Sequence, residues 1–161
     1  MSQPSDNAAK SSGSSRKRER AVDLNTAQQM LPLVKSIVGD IVDSSRKLAT
    51  LVPEQDMLDS FRRDLDWKGR QRRYAVQEER SKVEQLLNAA VSELKELGLN
   101  LVDAVQGQVD IPTRINGRAA AFCWRYGEDG LGYWHYAGES QMRPLPNDWQ
   151  SGAPMRNRRD S

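Results

Sequence analysis

Two stretches of this chain repeat apolar side chains at alternating steps of three and four, and a third alternates with a period near two. The first stretch follows Val22. Ala27, Leu31, Val34, Val38, Ile41, Ser45, Leu48 and Val52 form one seam, which Met30 and Ile37 widen. Asp23 can cap a helix here, with Val22 and Ala27 placed for a weak hydrophobic staple. The spacing predicts a helix over 23–52, kinked near Pro32 and ended by Pro53, which disfavours helical geometry at Val52. A second seam of Val83, Leu87, Ala90, Leu94 and Leu97 predicts a helix over 69–97, with Gly98 as its left-handed C-terminal cap.

Both seams weaken at one end. The first is interrupted by Ser44, Ser45, Arg46 and Lys47, and the second, traced backward, meets Arg80, Val76, Arg73 and Gly69. Helices of about 29 residues are roughly 43 Å long. Folded back antiparallel, residues 83–97 face 27–41 and the two polar halves meet at a distal tip. The bridge over 53–68 carries Met57, Leu58, Phe61 and Leu65 at helical spacing. These side chains either cap the tip or offer apolar surface to a partner, and the cap is the expectation.

Beyond Gly98 the pattern becomes that of strands. Asn116-Gly117 is a strong two-residue hairpin signal between residues 111–115 and 118–124. Gly127-Glu128-Asp129-Gly130 marks a second turn, between 119–126 and 131–136, and 99–105 can supply a fourth strand. A four-residue second turn pairs Trp124 with Tyr133 and Phe122 with His135 on one face. Cys123 then pairs with Trp134, and Ala121 with Tyr136, on the other. A slip of one residue would exchange these faces. The expected fold is α+β: a long, coiled-coil-like antiparallel helical hairpin with a three- to four-stranded antiparallel sheet at its base, within one domain over 22–149 and with the β-segment over 99–146.

Composition changes this picture mainly through charge. The 161 residues carry a formal +2, but residues 1–21 hold a net +3 and 150–161 a net +2. The span 22–149 therefore carries −3, so the basic excess belongs to the two ends. Both ends are Ser-rich or polar with few large apolar side chains, and are expected to be disordered tails. Within the acidic body, Arg62, Arg63, Lys68, Arg70, Arg72 and Arg73 form a local basic run beside Trp67 and Tyr74. Such a run could contact phosphates, although Glu78 and Glu79 compete for its arginines. No apolar run is long enough to cross a bilayer, and the polar N-terminus lacks a secretion signal's apolar stretch. A cytoplasmic location without membrane association is expected.

The string CWRYGEDGLGYWH at 123–135, followed by Arg143-Pro144-Leu145, resembles a bacterial family known as domain of unknown function 2203. Ala27 and Met30-Leu31-Pro32-Leu33-Val34 resemble its opening helix. Leu97-Gly98, Val109-Asp110-Ile111-Pro112 and Asn116-Gly117-Arg118 resemble its later elements. The similarity runs from about Val22 to Pro146. It implies a shared fold, but the family brings no established activity to transfer.

The candidate chemistry lies in the β-segment. His135 can act as a general acid or base oriented by Asp110 or Glu128, with Arg125 and Arg143 holding an anionic ligand. One cysteine excludes an intrachain disulfide framework, and one histidine excludes His-rich zinc sites. His135 with scattered carboxylates is a thin ligand set, so no metal or cofactor is expected. The proposed pairing also separates Cys123 from His135, against a nucleophilic dyad. No phosphate-cradling glycine loop, serine elbow or Cys-x-x-Cys pair is present.

The leading functional expectation is a non-catalytic interaction or scaffold protein with a protein partner, including a homodimer, because a hairpin and a small sheet bury little core. The first alternative is a small-molecule-binding protein or enzyme using Asp110, Arg125, Glu128, His135 and Arg143. The second is nucleic-acid binding through the basic tails and the helical tip.

Overall fold

The computed structural model describes residues 21–149. The expected tails lie outside the described residues, apart from Ala21. Helix α1 spans Leu24–Ser60 and helix α2 spans Trp67–Glu96. Five strands follow: β1 (Asn100–Asp103), β2 (Gln108–Ile115), β3 (Arg118–Arg125), β4 (Tyr133–Tyr136) and β5 (Arg143–Pro144). They form one antiparallel meander in sequence order, followed by a short 3-10 turn at Asn147–Trp149. The α+β class is as expected, and β5 enlarges the sheet to five strands. No helix of the described chain is long and apolar enough to cross a membrane.

The sequence places helix ends through caps. The Asp23 carboxylate accepts a hydrogen bond from the Thr26 amide at 2.7 Å, and Asp66 does the same for Gly69 at 2.7 Å. Gly98 adopts φ +80° just past α2, the left-handed geometry that its missing Cβ permits.

Pro53 does not end α1, contrary to the sequence expectation. The helix contains both Pro32 and Pro53 and runs 37 residues, about 55 Å at the usual rise. An interior proline costs about 3 kcal/mol. Packing on both sides of Pro53 offsets this, because Leu51 and Leu58 are buried with Val76 and Val83 of α2, and Leu48 and Leu65 pack against them. The 53–68 bridge is therefore mostly helix, and residues 61–66 alone make the reversal.

The distal half is thus less polar than expected. Ile37, Ser44, Leu51 and Leu58 are buried at strict seven-residue spacing, as are Val76, Val83 and Ala90 opposite them. Cross-helix ion pairs flank this second cluster. Arg72 binds Glu54 through two contacts of 2.6 and 2.9 Å, and Arg73 binds Asp59 at 2.7 Å.

The larger core lies at the base. Leu31, Val34, Val38, Ile41 and Val42 of α1 and Leu94 of α2 pack with Val109, Ile111, Phe122, Trp124 and Trp134 of the sheet. Gly107 permits this approach. It has φ +67°, and a Cβ there would lie 2.6 Å from Tyr126 Cβ and under 3 Å from Val42 and Val38.

The β3 to β4 register differs by one residue from the expectation. Phe122 pairs with Trp134, Ala121 with His135 and Cys123 with Tyr133. The connection is a seven-residue segment, 126–132, rather than a four-residue turn. Leu131 leaves the ladder to enter the core, while Trp124 Nε1 donates to the Glu128 carbonyl at 3.2 Å and Lys35 Nζ to the Asp129 carbonyl at 2.9 Å. An odd change in register inverts the faces. Phe122, Trp124, Trp134 and Tyr136 consequently share the core side, and Cys123 and His135 share the outer side.

Candidate functional site

The outer face is assembled by three adjacent strands. Asp110 of β2 is the direct partner of Cys123 on β3, while His135 of β4 pairs with Ala121. Ala121 in turn pairs with Pro112, two residues from Asp110. His135 therefore reaches diagonally across β3, over the small Ala121 side chain, and brings Nε2 to 2.9 Å from Asp110 Oδ2. Side-chain exposure of His135 and Asp110 is 15% and 17%, so the pair is sheltered but open on one side.

The contacts constrain the imidazole. His135 Nδ1 lies 2.8 Å from the Tyr136 carbonyl oxygen. A carbonyl only accepts, so Nδ1 carries hydrogen and Nε2 is the nitrogen presented to Asp110. Nε2 without a proton and an ionised carboxylate are both acceptors. Their 2.9 Å approach is that of a hydrogen bond and requires a proton between them.

The carboxylate has a second consequence. Asp110 Oδ1 is buried and accepts no hydrogen bond from a nitrogen or oxygen donor among the described residues. Cys123 is buried beside it, and ligating atoms of Asp110, Cys123 and His135 all lie within 4.8 Å of one another. Burial pushes the Cys123 thiol pKa well up, and the charge of Asp110, its hydrogen bond with the thiol and the charge of Glu128 act in the same direction. The Cys123 thiol is therefore protonated and unreactive, not an activated nucleophile.

A concavity of about 910 Å³ opens over this face. Ala119, Ala121 and Ala137 contribute short side chains to its lining and Gly138 bare backbone, and Asp110, His135, Asn100 and Arg114 contribute polar side chains. Its edge depends on Pro112. Pro112 lacks a donor but its carbonyl accepts from Val22 at 3.0 Å, beyond the end of β1. The proline thus faces the open edge of β2, where its missing N–H breaks no ladder bond. The same contact brings Ala21 to the concavity rim.

The five residues grouped from the sequence do not converge. Asp110 and His135 meet. Arg125 is exposed at the end of β3, opposite Gln108, and Glu128 lies in the following loop. Arg143 pairs with Trp134 on β5, binds Glu139 at 3.0 Å and lies over the Trp134 and Tyr136 rings. The arginine clamp expected beside His135 is therefore not assembled. Cys123 replaces it as the third member, and the expected separation of Cys123 from His135 is corrected by the register. No sequence signal pointed to this cluster beyond the presence of all three residues in one β-segment, because Ala121 was expected opposite Tyr136 and not His135.

The helical tip divides similarly. Arg62, Arg63, Lys68 and Arg70 are exposed, whereas Arg72 and Arg73 engage Glu54 and Asp59. Leu58 is buried and Leu65 packs beside it, but Met57, Phe61, Trp67 and Tyr74 are exposed.

Comparison with known proteins agrees with the resemblance in the sequence. No curated protein and no solved structure matches the chain. A family model described as "Uncharacterized conserved protein (DUF2203)" matches residues 20–143, a span that contains both helices, β1 to β4 and all three residues of the outer-face cluster. The chain belongs to that family of uncharacterised conserved proteins.

Proposed function

We propose that this protein binds a small polar ligand on the concave outer face of its sheet, with Asp110 and His135 as the recognition centre. The supporting observation is the 2.9 Å contact that His135 makes across Ala121 at one side of the concavity. Core histidines are usually satisfied inside a packed interior, whereas this one borders an open space lined by short side chains. Sites of this kind combine a concave apolar lining with a few convergent polar groups. The reading reverses the order expected from sequence, in which a scaffold role led.

The test is a small-molecule fragment screen on the full chain by heteronuclear NMR. Hits should shift the amides of 119–123 and 135–138 and be lost in Ala137→Trp, which fills the concavity from an exposed position. Hits that persist unchanged in Ala137→Trp, or none on this face, overturn the reading.

A second reading follows from the tip. Met57, Phe61, Trp67 and Tyr74 expose apolar area beside Arg62, Arg63, Lys68 and Arg70, a combination suited to an acidic protein surface. Nucleic-acid contact is less favoured there, because Arg72 and Arg73 are already ion-paired. Homodimerisation through the same end predicts self-association in analytical ultracentrifugation that weakens in Phe61→Ser/Trp67→Ser. A wild-type monomer across a wide concentration range excludes the homodimer.

A further inference from the structure

We propose that Asp110, Cys123 and His135 bind one divalent metal ion of zinc-like character, through one oxygen, one sulfur and one nitrogen, with a fourth position open to the concavity. The inference deepens the reading of this face as a ligand site, since the bound ligand would complete the coordination.

Four observations carry it. The ligand types are those of zinc centres with three protein ligands and an exchangeable fourth position. Bonds of 2.0–2.3 Å in a tetrahedron place ligand atoms roughly 3.3–3.8 Å apart. The cluster, with Nε2 and Oδ2 at 2.9 Å and all three ligating atoms within 4.8 Å, reaches that geometry through side-chain shifts of about an ångström. His135 Nδ1 is held by the Tyr136 carbonyl, the outer contact that fixes a ligating histidine with Nε2 toward the metal. Finally, the Asp110 carboxylate is largely buried with only the weakly donating Cys123 thiol beside His135, so its charge is better compensated by a cation.

The ordinary alternative is an imidazolium paired with a carboxylate beside a buried, inert cysteine. That arrangement accounts for Oδ2 and leaves the rest of the buried carboxylate with only the weakly donating Cys123 thiol. A metal ion satisfies the cluster as a unit. Its binding releases the thiol proton and the proton between Nε2 and Oδ2 to solvent, and no electron transfer is involved. The ligands stand on three hydrogen-bonded strands, so little ordering remains to be done when the ion enters.

Cobalt(II) and zinc(II) titrations of the untagged, chelator-treated full chain test the proposal. One equivalent of cobalt should produce visible bands of four-coordinate intensity and a near-ultraviolet thiolate-to-cobalt charge-transfer band. Zinc should displace the cobalt stoichiometrically. Cys123→Ser should abolish the charge-transfer band, and Asp110→Asn and His135→Ala should each weaken zinc binding more than about tenfold. Proton release on zinc binding to the wild-type chain, measured in weak buffer, provides a second readout that needs no variant.

A wild-type chain without the charge-transfer band, or one whose zinc affinity survives Cys123→Ser unchanged, overturns the metal site. If those results coincide with fragment hits on the concavity, the metal inference fails and the ligand reading stands. Metal binding with an empty fragment screen on the metal-loaded chain sinks the ligand reading and upholds the metal site.

Discussion

His135 Nε2 stands 2.9 Å from Asp110 Oδ2 although a whole strand lies between their backbones. Strands two places apart are separated by about 9.6 Å. Ala121 occupies the intervening position opposite His135, and its short side chain leaves the crossing clear. Cys123, two residues further along the same face of β3, is drawn into the same cluster. The site is therefore a property of three strands in one register.

Ala121→Leu tests that dependence. The added isopropyl group would occupy the path of the imidazole and separate it from Asp110. The expected result is a changed His135 imidazole nitrogen spectrum by NMR, with a stability loss of about 1–3 kcal/mol from overpacking. An unchanged imidazole signal would show that the contact does not need a small residue at 121.

Gly107→Ala should be among the more damaging single substitutions. The position combines φ +67° with a Cβ site only 2.6 Å from Tyr126 Cβ. Conformational strain and the close contacts with Val38 and Val42 together predict a loss of about 2–4 kcal/mol, measurable by urea denaturation. A loss below about 0.5 kcal/mol would show that the β1 to β2 turn can retreat from α1 freely.

Ser45→Ala should stabilise the chain. Ser45 Oγ is buried without a hydrogen-bond partner among the described residues. Removing it relieves an unsatisfied group and improves helix propensity, for an expected gain of about 1 kcal/mol. Thermal and urea melts should both move upward, and a decrease would mean that the hydroxyl is satisfied in solution.

The Glu54 and Arg72 pair should give a pH-dependent contribution. The Arg72 hydrogen bond holds the Glu54 carboxyl below its ordinary value of 4.5. A carboxyl lowered on folding stabilises the native state above its unfolded pKa, and that stabilisation is lost as pH falls through the lower, folded value. The melting-temperature difference between wild type and Glu54→Gln should therefore be present at neutral pH and shrink under acid. The pair is exposed, so added salt should reduce the difference as well. A difference that grows on acidification contradicts the assignment.

Much of the architecture was legible in one dimension. The seams that run from Ala27 and up to Leu94 mark the helix faces buried at the base, and Asp23 and Gly98 mark two helix boundaries. Asn116-Gly117 specified its turn because both residues adopt positive φ, 53° and 73°. Each of these signals is local: the residue that states the preference also adopts the conformation.

Other features depended on distant partners. Pro53 carries a local instruction to stop a helix, yet Leu51 and Leu58 continue it by packing on Val76 and Val83. The 126–132 connection is richer still in turn residues, and its composition does not reveal that Leu131 enters the core. That placement shifts the ladder by one residue, moves Cys123 to the face of His135 and leaves Arg143 among aromatic rings.

By itself, then, the sequence determined the α+β class, the two helical faces, the first hairpin and the presence of Asp110, Cys123 and His135 in one β-segment. Only the tertiary structure decided that these three side chains meet. The physical reason is the two-residue period of a strand: faces follow the parity of the register, and core packing of a loop residue some distance away set that parity.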